Sequence, residues 1–197
     1  MYLEKLWRDS FSGFGLQGIP GVNFLLPMAM VVLSVLGIWQ DIQQKLFYPT
    51  KYSAYVEQYS DTYGLDPLLL YAVIHTESKF QPKAVSESGA LGLTQITPET
   101  FQWLQSKAGE KLPARQLHSP QVSIRYGALF LSMLQEEFAE VETALAAYHA
   151  GRGKVNSWLR DKRYSADGSA LGRIPSSKTA HYVRKVMRAY EKYQSLY

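Results

Sequence analysis

Three times in this 197-residue chain a helix-capping side chain stands directly before proline: Asp66 before Pro67, Thr97 before Pro98 and Ser119 before Pro120. Proline is tolerated in the first helical turn, where its missing N–H would have no partner, and the preceding Asp, Thr or Ser suits the capping position. Each pair predicts a helix start, and Glu99 adds an acid to the first turn after Pro98, where the helix dipole favours it. KYSAYVEQYSDTYG reads as a helix closed by Gly64, and LLLYAVIHTESKF follows Pro67. QVSIRYGALFLSMLQEEF follows Pro120, ETALAAYHAG closes at Gly151, and KVNSWLRD comes next. A last helix sets Val183, Val186, Met187 and Tyr190 on one stripe, which is a packing face. No convincing alternating strand is present, so the expected class is all-α. Arg163–Pro175 reads as a surface loop.

Ahead of these helices, VNFLLPMAMVVLSVLGIW from Val22 to Trp39 carries no charge. Eighteen helical residues span about 27 Å, close to the hydrocarbon thickness of a bilayer. The expected organisation is a short N-terminal segment over 1–21, a transmembrane anchor over 22–39 and a polar and aromatic connector over 40–50. One domain over 51–197 follows. A cleaved signal peptide competes with the anchor, but the sequence offers no good small-x-small cleavage site, and Lys5 and Arg8 are offset by Glu4 and Asp9. Lys5 and Arg8 before the span balance Lys45 and Lys51 after it, so charge does not set the orientation.

Composition narrows the function classes. Apolar residues make up 46% and charged residues 19%, which suits a folded core and not a disordered chain. The net charge of +4 is mild and no basic run interleaves with aromatics, so nucleic acid is not the expected partner. Cysteine is absent, which removes disulfides, thiolate ligands and a cysteine nucleophile. His75, His118, His149 and His181 share no metal-ligand spacing, and neither metal nor cofactor is expected.

Glu77 is the candidate for chemistry. At helical spacing it has Val73 and Ile74 one turn back and Phe80 one turn on, and apolar surroundings penalise the charged carboxylate. A carboxylic acid that keeps its proton near neutral pH is what a glycosidic oxygen requires from a general acid.

The residues after Glu77 make this specific. ESKFQPKAVSESGALGLTQITPET resembles the first signature of the soluble lytic transglycosylase family, ES-x-F-x-P-x-A-x-S-x-x-G-A-x-G-L-M-Q-x-x-P-x-T. Glu77, Ser78, Phe80, Pro82, Ala84, Ser86, Gly89, Ala90, Gly92, Leu93, Gln95, Pro98 and Thr100 match in identity and spacing. ALAAYHAGRGKVNSWL resembles a second signature, ALAAYNAGPGRVxxWL, and IPSSKTAHYVRKVMRAY a third, I-P-x-x-ET-x-x-YV-x-x-V. The likeness runs from about Tyr55 to Tyr193.

This resemblance implies a mainly helical, lysozyme-like domain that cleaves the MurNAc-GlcNAc β-1,4 bond of peptidoglycan. In the family the matching glutamate acts as acid and then as base, and the sugar's own 6-hydroxyl attacks to form a 1,6-anhydromuramoyl product. By position, Ser86 would bond the Glu77 carboxyl or the substrate, Gln95 would bind sugar amides or hydroxyls, and Thr97 would line a subsite. Tyr148, His149 and, more weakly, Tyr182 would border the cleavage site. Thr94, His149 and Lys178 stand where the family has methionine, asparagine and glutamate; the first two are expected to alter the pocket lining, the third to reverse a charge near the cleft. Cleavage of the wall implies a catalytic domain in the periplasm, held by a single pass through the inner (cytoplasmic) membrane, or released there if a signal is cleaved. A hydrolytic muramidase on the same fold, or a weakly active wall-binding component of a secretion, conjugation or pilus apparatus, are the alternatives.

Overall fold

A computed structural model describes residues 22–197, with the side chains of residues 22–27, 40 and 41 outside the description. Helix α1 is Val22–Phe47. The expected connector over 40–50 is thus helical as far as Phe47, since nothing between Trp39 and Phe47 breaks a helix. The anchor expected over 22–39 lies partly outside the described side chains. Among the described residues no helix is long and apolar enough to cross a membrane.

Tyr48–Tyr197 form one compact unit, and α1 belongs to another. The compact unit contains α2 (Ser53–Tyr63), α3 (Pro67–Ser78), α4 (Pro98–Ala108), a 3-10 turn at Ala114–His118, α5 (Pro120–Glu137), α6 (Val141–Ala150), α7 (Arg152–Leu159) and α8 (Ser177–Leu196). Between α3 and α4 the only pairing among the described residues is isolated antiparallel bridging, Val85 with Leu91 and Leu91 with Ile96.

The cap signals act unequally. Asp66 accepts from Leu68 N and Thr97 from Thr100 N, whereas Ser119 makes no side-chain cap and leaves Pro120 alone to mark the start of α5. Gly64 closes α2 in the left-handed conformation, its N–H donating to Asp61 O and that of Leu65 to Ser60 O.

Helix α3 is the centre of the unit. Leu69, Leu70, Ala72, Val73 and Ile74 are all buried, so it is enclosed on nearly every side, as a helix with so few polar positions must be. Its main neighbour is α8, whose Val183, Val186 and Tyr193 are buried. Met187 and Tyr190 of the expected stripe are partly buried against the same core. Tyr193 stacks on Tyr71 with ring centroids 5.6 Å apart and donates its hydroxyl to Pro49 O at 2.9 Å, tying the end of the chain to the start of the unit. Arg125 grips Glu110 through two hydrogen bonds of 3.1 and 2.6 Å, and Tyr126 adds a third at 2.8 Å, fastening the segment after α4 to α5. The segment read as a surface loop is pinned in part: Ser165 is buried, and Leu171 N donates to Thr143 Oγ1 at 3.1 Å.

Two glycines make room for the strip that follows the loop. A Cβ on Gly92 (φ 76°) would lie 1.9 Å from Leu117 O, and one on Gly127 would lie 2.4 Å from the Thr94 side chain. Gly89 (φ 77°) has open space around it. Gly92→Ala is expected to cost about 3 kcal/mol or more, because clash with a backbone atom adds to the left-handed strain, and Gly89→Ala about 1 kcal/mol from strain alone. Urea unfolding of the two variants checks the order; equal losses would show that Gly92 is not confined.

Candidate active site

Glu77 sits in the last turn of α3, one residue before its end. Beyond it Lys79 (φ 53°) and Phe80 (φ 61°) both take the left-handed conformation, unusual for residues with side chains. This reversal turns the chain out of the helix and buries Phe80 against the core. Ser78 Oγ bonds Leu93 O at 2.8 Å, so the helix end carrying Glu77 is fixed to the strip at 92–95.

That strip is held from two further helices. Thr94 Oγ1 donates to Ser123 O at 2.8 Å, Thr94 N donates to Ser123 Oγ at 3.2 Å, and Tyr148 donates its hydroxyl to Thr94 O at 2.8 Å. Gln95, itself left-handed at φ 49°, donates its amide nitrogen to Gly92 O at 2.8 Å and Ala84 O at 3.3 Å.

The result is a cavity of about 260 Å³ lined by Glu77, Ser86, Ser88, Ala90, Gln95, Ile96, Thr97, Thr100, Phe130, Tyr148 and His149. Six of the seven residues singled out from sequence therefore share one wall system. The seventh, Tyr182, is buried and stacks near His149, ring centroids 4.6 Å apart. Ser86 does not bond Glu77: its hydroxyl accepts from Ala90 N at 3.0 Å and meets Ser88 Oγ at 3.0 Å, which shapes the loop. Thr97 caps α4 while lining the cavity. Thr94 does not line it. Its side chain is wholly buried against α5, so the expected change of pocket lining at this position is corrected to a change of internal packing, made possible by Gly127.

Burial pushes the Glu77 carboxyl up to about 7, against partial opposition from the Tyr182 hydroxyl and the positive charge of Lys185. The negative pole of the α3 C-terminus acts in the same direction as burial. The Tyr182 hydroxyl is one of the buried side-chain polar atoms without a full hydrogen bond among the described residues, and the nearby Glu77 charge together with burial raises its own pKa. Tyr148 is held neutral by burial and by Glu77.

His149 is pushed down by burial, so its ring is neutral at physiological pH. His149 Nδ1 lies 3.2 Å from Thr179 Oγ1, which in turn bonds Ser176 Oγ at 3.1 Å, so the ring is held at the cavity wall. Lys178, next to Thr179, is exposed in the first turn of α8.

Sequence reasoning did not single out Ser88, Ala90, Thr100, Phe130, Thr179 or Lys185. Ala90 and Thr100 lie inside the first signature, and Thr179 completes the third, so motif membership could have found them. Phe130 carries no such signal, because in sequence it is one apolar residue on the core face of α5.

A family model described as Transglycosylase SLT domain matches residues 54–170. The chain is 31% identical to the membrane-bound lytic murein transglycosylase C of Glaesserella parasuis serovar 5 (strain SH0165), the match covering 74% of this chain and 46% of that protein. It is 30% identical to the soluble lytic murein transglycosylase of Escherichia coli (strain K12), covering 79% and 24%. Among solved structures, an inactive mutant of lytic transglycosylase Slt from Pseudomonas aeruginosa superposes with a TM-score of 0.66 at 32% identity, over 75% of this chain and 24% of that one. The chain thus spans about half or less of the length of these relatives.

The buried carboxyl makes a prediction about stability. The folded chain holds the Glu77 proton more tightly than the unfolded chain, whose value is near 4.5, so this contribution is complete below 4.5 and lost as pH rises through about 7. Glu77→Gln is expected to gain on the native chain by on the order of 2 kcal/mol between about pH 5 and pH 8. Urea unfolding at both pH values measures it, and a difference independent of pH would place the carboxyl in solvent.

Proposed function

The chain belongs to the transglycosylase SLT domain family, and from that membership we propose that it is a peptidoglycan lytic transglycosylase in which Glu77 acts first as acid and then as base. Its compact unit has the mainly helical, lysozyme-like fold of that family. The observation that carries the proposal is a single carboxyl, kept protonated by burial, in a cavity whose described lining holds no second Asp or Glu.

A protonated Glu77 gives its proton to the glycosidic oxygen as the bond to the MurNAc anomeric carbon breaks. The carboxylate left behind is tolerated because the Tyr182 hydroxyl and the Lys185 charge both favour the ionised form. It then takes the proton from the sugar's own 6-hydroxyl as that oxygen attacks the anomeric carbon, which closes the 1,6-anhydro ring and restores the acid. A retaining hydrolase with an enzyme nucleophile needs a second carboxylate about 5 Å away, and an inverting one needs a base on the opposite face. Attack by the substrate's own hydroxyl needs neither. Gln95, Thr97 and the neutral His149 supply polar contacts for the sugars, and Tyr148 forms a fixed apolar wall beside Glu77.

The proposed setting is the inner membrane, with the catalytic unit in the periplasm. Along α1, Met30, Val31, Val32, Leu33, Val35, Leu36, Ile38 and Trp39 are all exposed, and consecutive exposed apolar side chains point to every side of a helix. Together with the uncharged sequence from Val22, this favours a lipid environment for α1.

Three outcomes are expected. Mass analysis of fragments released from purified peptidoglycan should find 1,6-anhydro ends with the native chain, and Glu77→Gln should lower the rate by about 10³-fold. Reducing ends would make the protein a hydrolase, and wall binding without products from either would favour a scaffold role. Because the acid form begins the reaction, kcat/KM should hold on the acid side and fall as pH rises through about 7; a profile flat to pH 9 would remove Glu77 as the acid. In fractionated cells the full chain should resist alkaline extraction from membranes, and a chain lacking residues 1–47 should not.

A further inference from the structure

Packed side chains link the cavity to a pair of residues that the signatures do not describe. One turn beyond Thr100, which lines the cavity, α4 presents Trp103; three residues beyond His149, which also lines it, α7 begins with Arg152. The two meet: the Arg152 guanidinium lies 5.8 Å over the Trp103 ring. Trp103 in turn stands edge-on to Phe130, centroids 6.2 Å apart, and Phe130 packs on Tyr148 at 5.0 Å. A chain of packed aromatic rings therefore links the cavity at Glu77 to Arg152.

Arg152 is oriented, not loose. Its Nε is ion-paired with Glu137 Oε2 at 3.1 Å, and Asn156 Nδ2 donates to the other Glu137 oxygen at 2.7 Å. Both carboxylate oxygens are thus engaged by groups on α7, and the two terminal guanidinium nitrogens make no hydrogen bond to the described chain. The side chain remains 51% exposed, so the group is open to solvent. The second signature has proline at this position, so the guanidinium is a feature of this chain and not of the pattern it matches.

We propose that Trp103 and Arg152 form a substrate-recognition corner for a carboxylate carried by the glycan beside the cleaved bond. This rests on the peptidoglycan reading above. A planar guanidinium with two parallel N–H donors matches a carboxylate bidentately, and a ring beneath it keeps the group flat. Peptidoglycan offers such carboxylates on its stem peptides, and on the lactyl group of a muramic acid stripped of its peptide. Glu137 holds the guanidinium while cancelling part of its charge, which gives selection for a partner of matched shape over a general pull on anions.

The test uses the full chain and three soluble strand preparations: peptide-bearing, the same with its carboxylates converted to amides, and peptide-stripped. With the native chain, amidation should raise KM by about fivefold to tenfold with little change in kcat, as expected for an exposed charge-assisted contact. Arg152→Gln should raise KM on peptide-bearing strands by a similar factor, at least about fivefold more than on amidated ones, and Arg152→Lys should recover part of the loss. A selective loss on peptide-stripped strands would assign the carboxylate to the lactyl group. If Arg152→Gln acts alike on all three strands, or on none, while cleavage proceeds, the corner is overturned. If the native chain yields no anhydro ends from any strand, it is the catalytic reading that fails.

Discussion

The strip Gly92–Gln95 ties the compact unit together. It receives Ser78 at the end of α3, Ser123 from α5 and Tyr148 from α6, while Gln95 folds back on Gly92 and Ala84. Its backbone lies where no regular ladder satisfies it, and side chains from three helices take over that work. The same bonds fix the distances between Glu77, Tyr148 and the loop that bears Ser86. Core stability and cleft geometry therefore have one source, and the residues framing the cleft are framed because the strip is buried.

The electrostatics of the site oppose desolvation to anion support. Enclosure raises Glu77 into the neutral range, which leaves a proton available for a poor leaving group. Tyr182 and Lys185 limit the rise, so the carboxylate required midway through the proposed reaction is not forbidden. A more deeply buried glutamate would keep its proton through the second step, and a solvated one would have lost it before the first.

The three departures from the family pattern have separate physical meanings. Thr94 is an internal substitution: a short, branched, hydrogen-bonding side chain meets Ser123 and fills the space left by Gly127. His149 lies in the cavity and exchanges an amide for an imidazole held against Thr179. Lys178 lies outside the cavity lining, exposed on the first turn of α8, so its charge acts from a screened position.

The helices were legible in the chain because caps, prolines and periodicity are local: Asp66–Pro67, Thr97–Pro98, Gly64 and Gly151 mark their ends by short-range geometry. Glu77 was legible through its dense signature, and its raised pKa through the apolar neighbours one turn away. Other features depend on contacts distant in sequence, and no local pattern reports those. Ser86 shapes its loop and does not bond Glu77; Thr94 turns inward; Phe130 enters the cleft from a face indistinguishable from core; Arg152 meets Trp103 only through tertiary packing that brings the start of α7 to α4. The sequence by itself determined which residues could form helices and which carboxyl could hold a proton. Only tertiary packing, which brings segments 29 to 54 residues apart onto one buried strip, decided which side chains face the cavity.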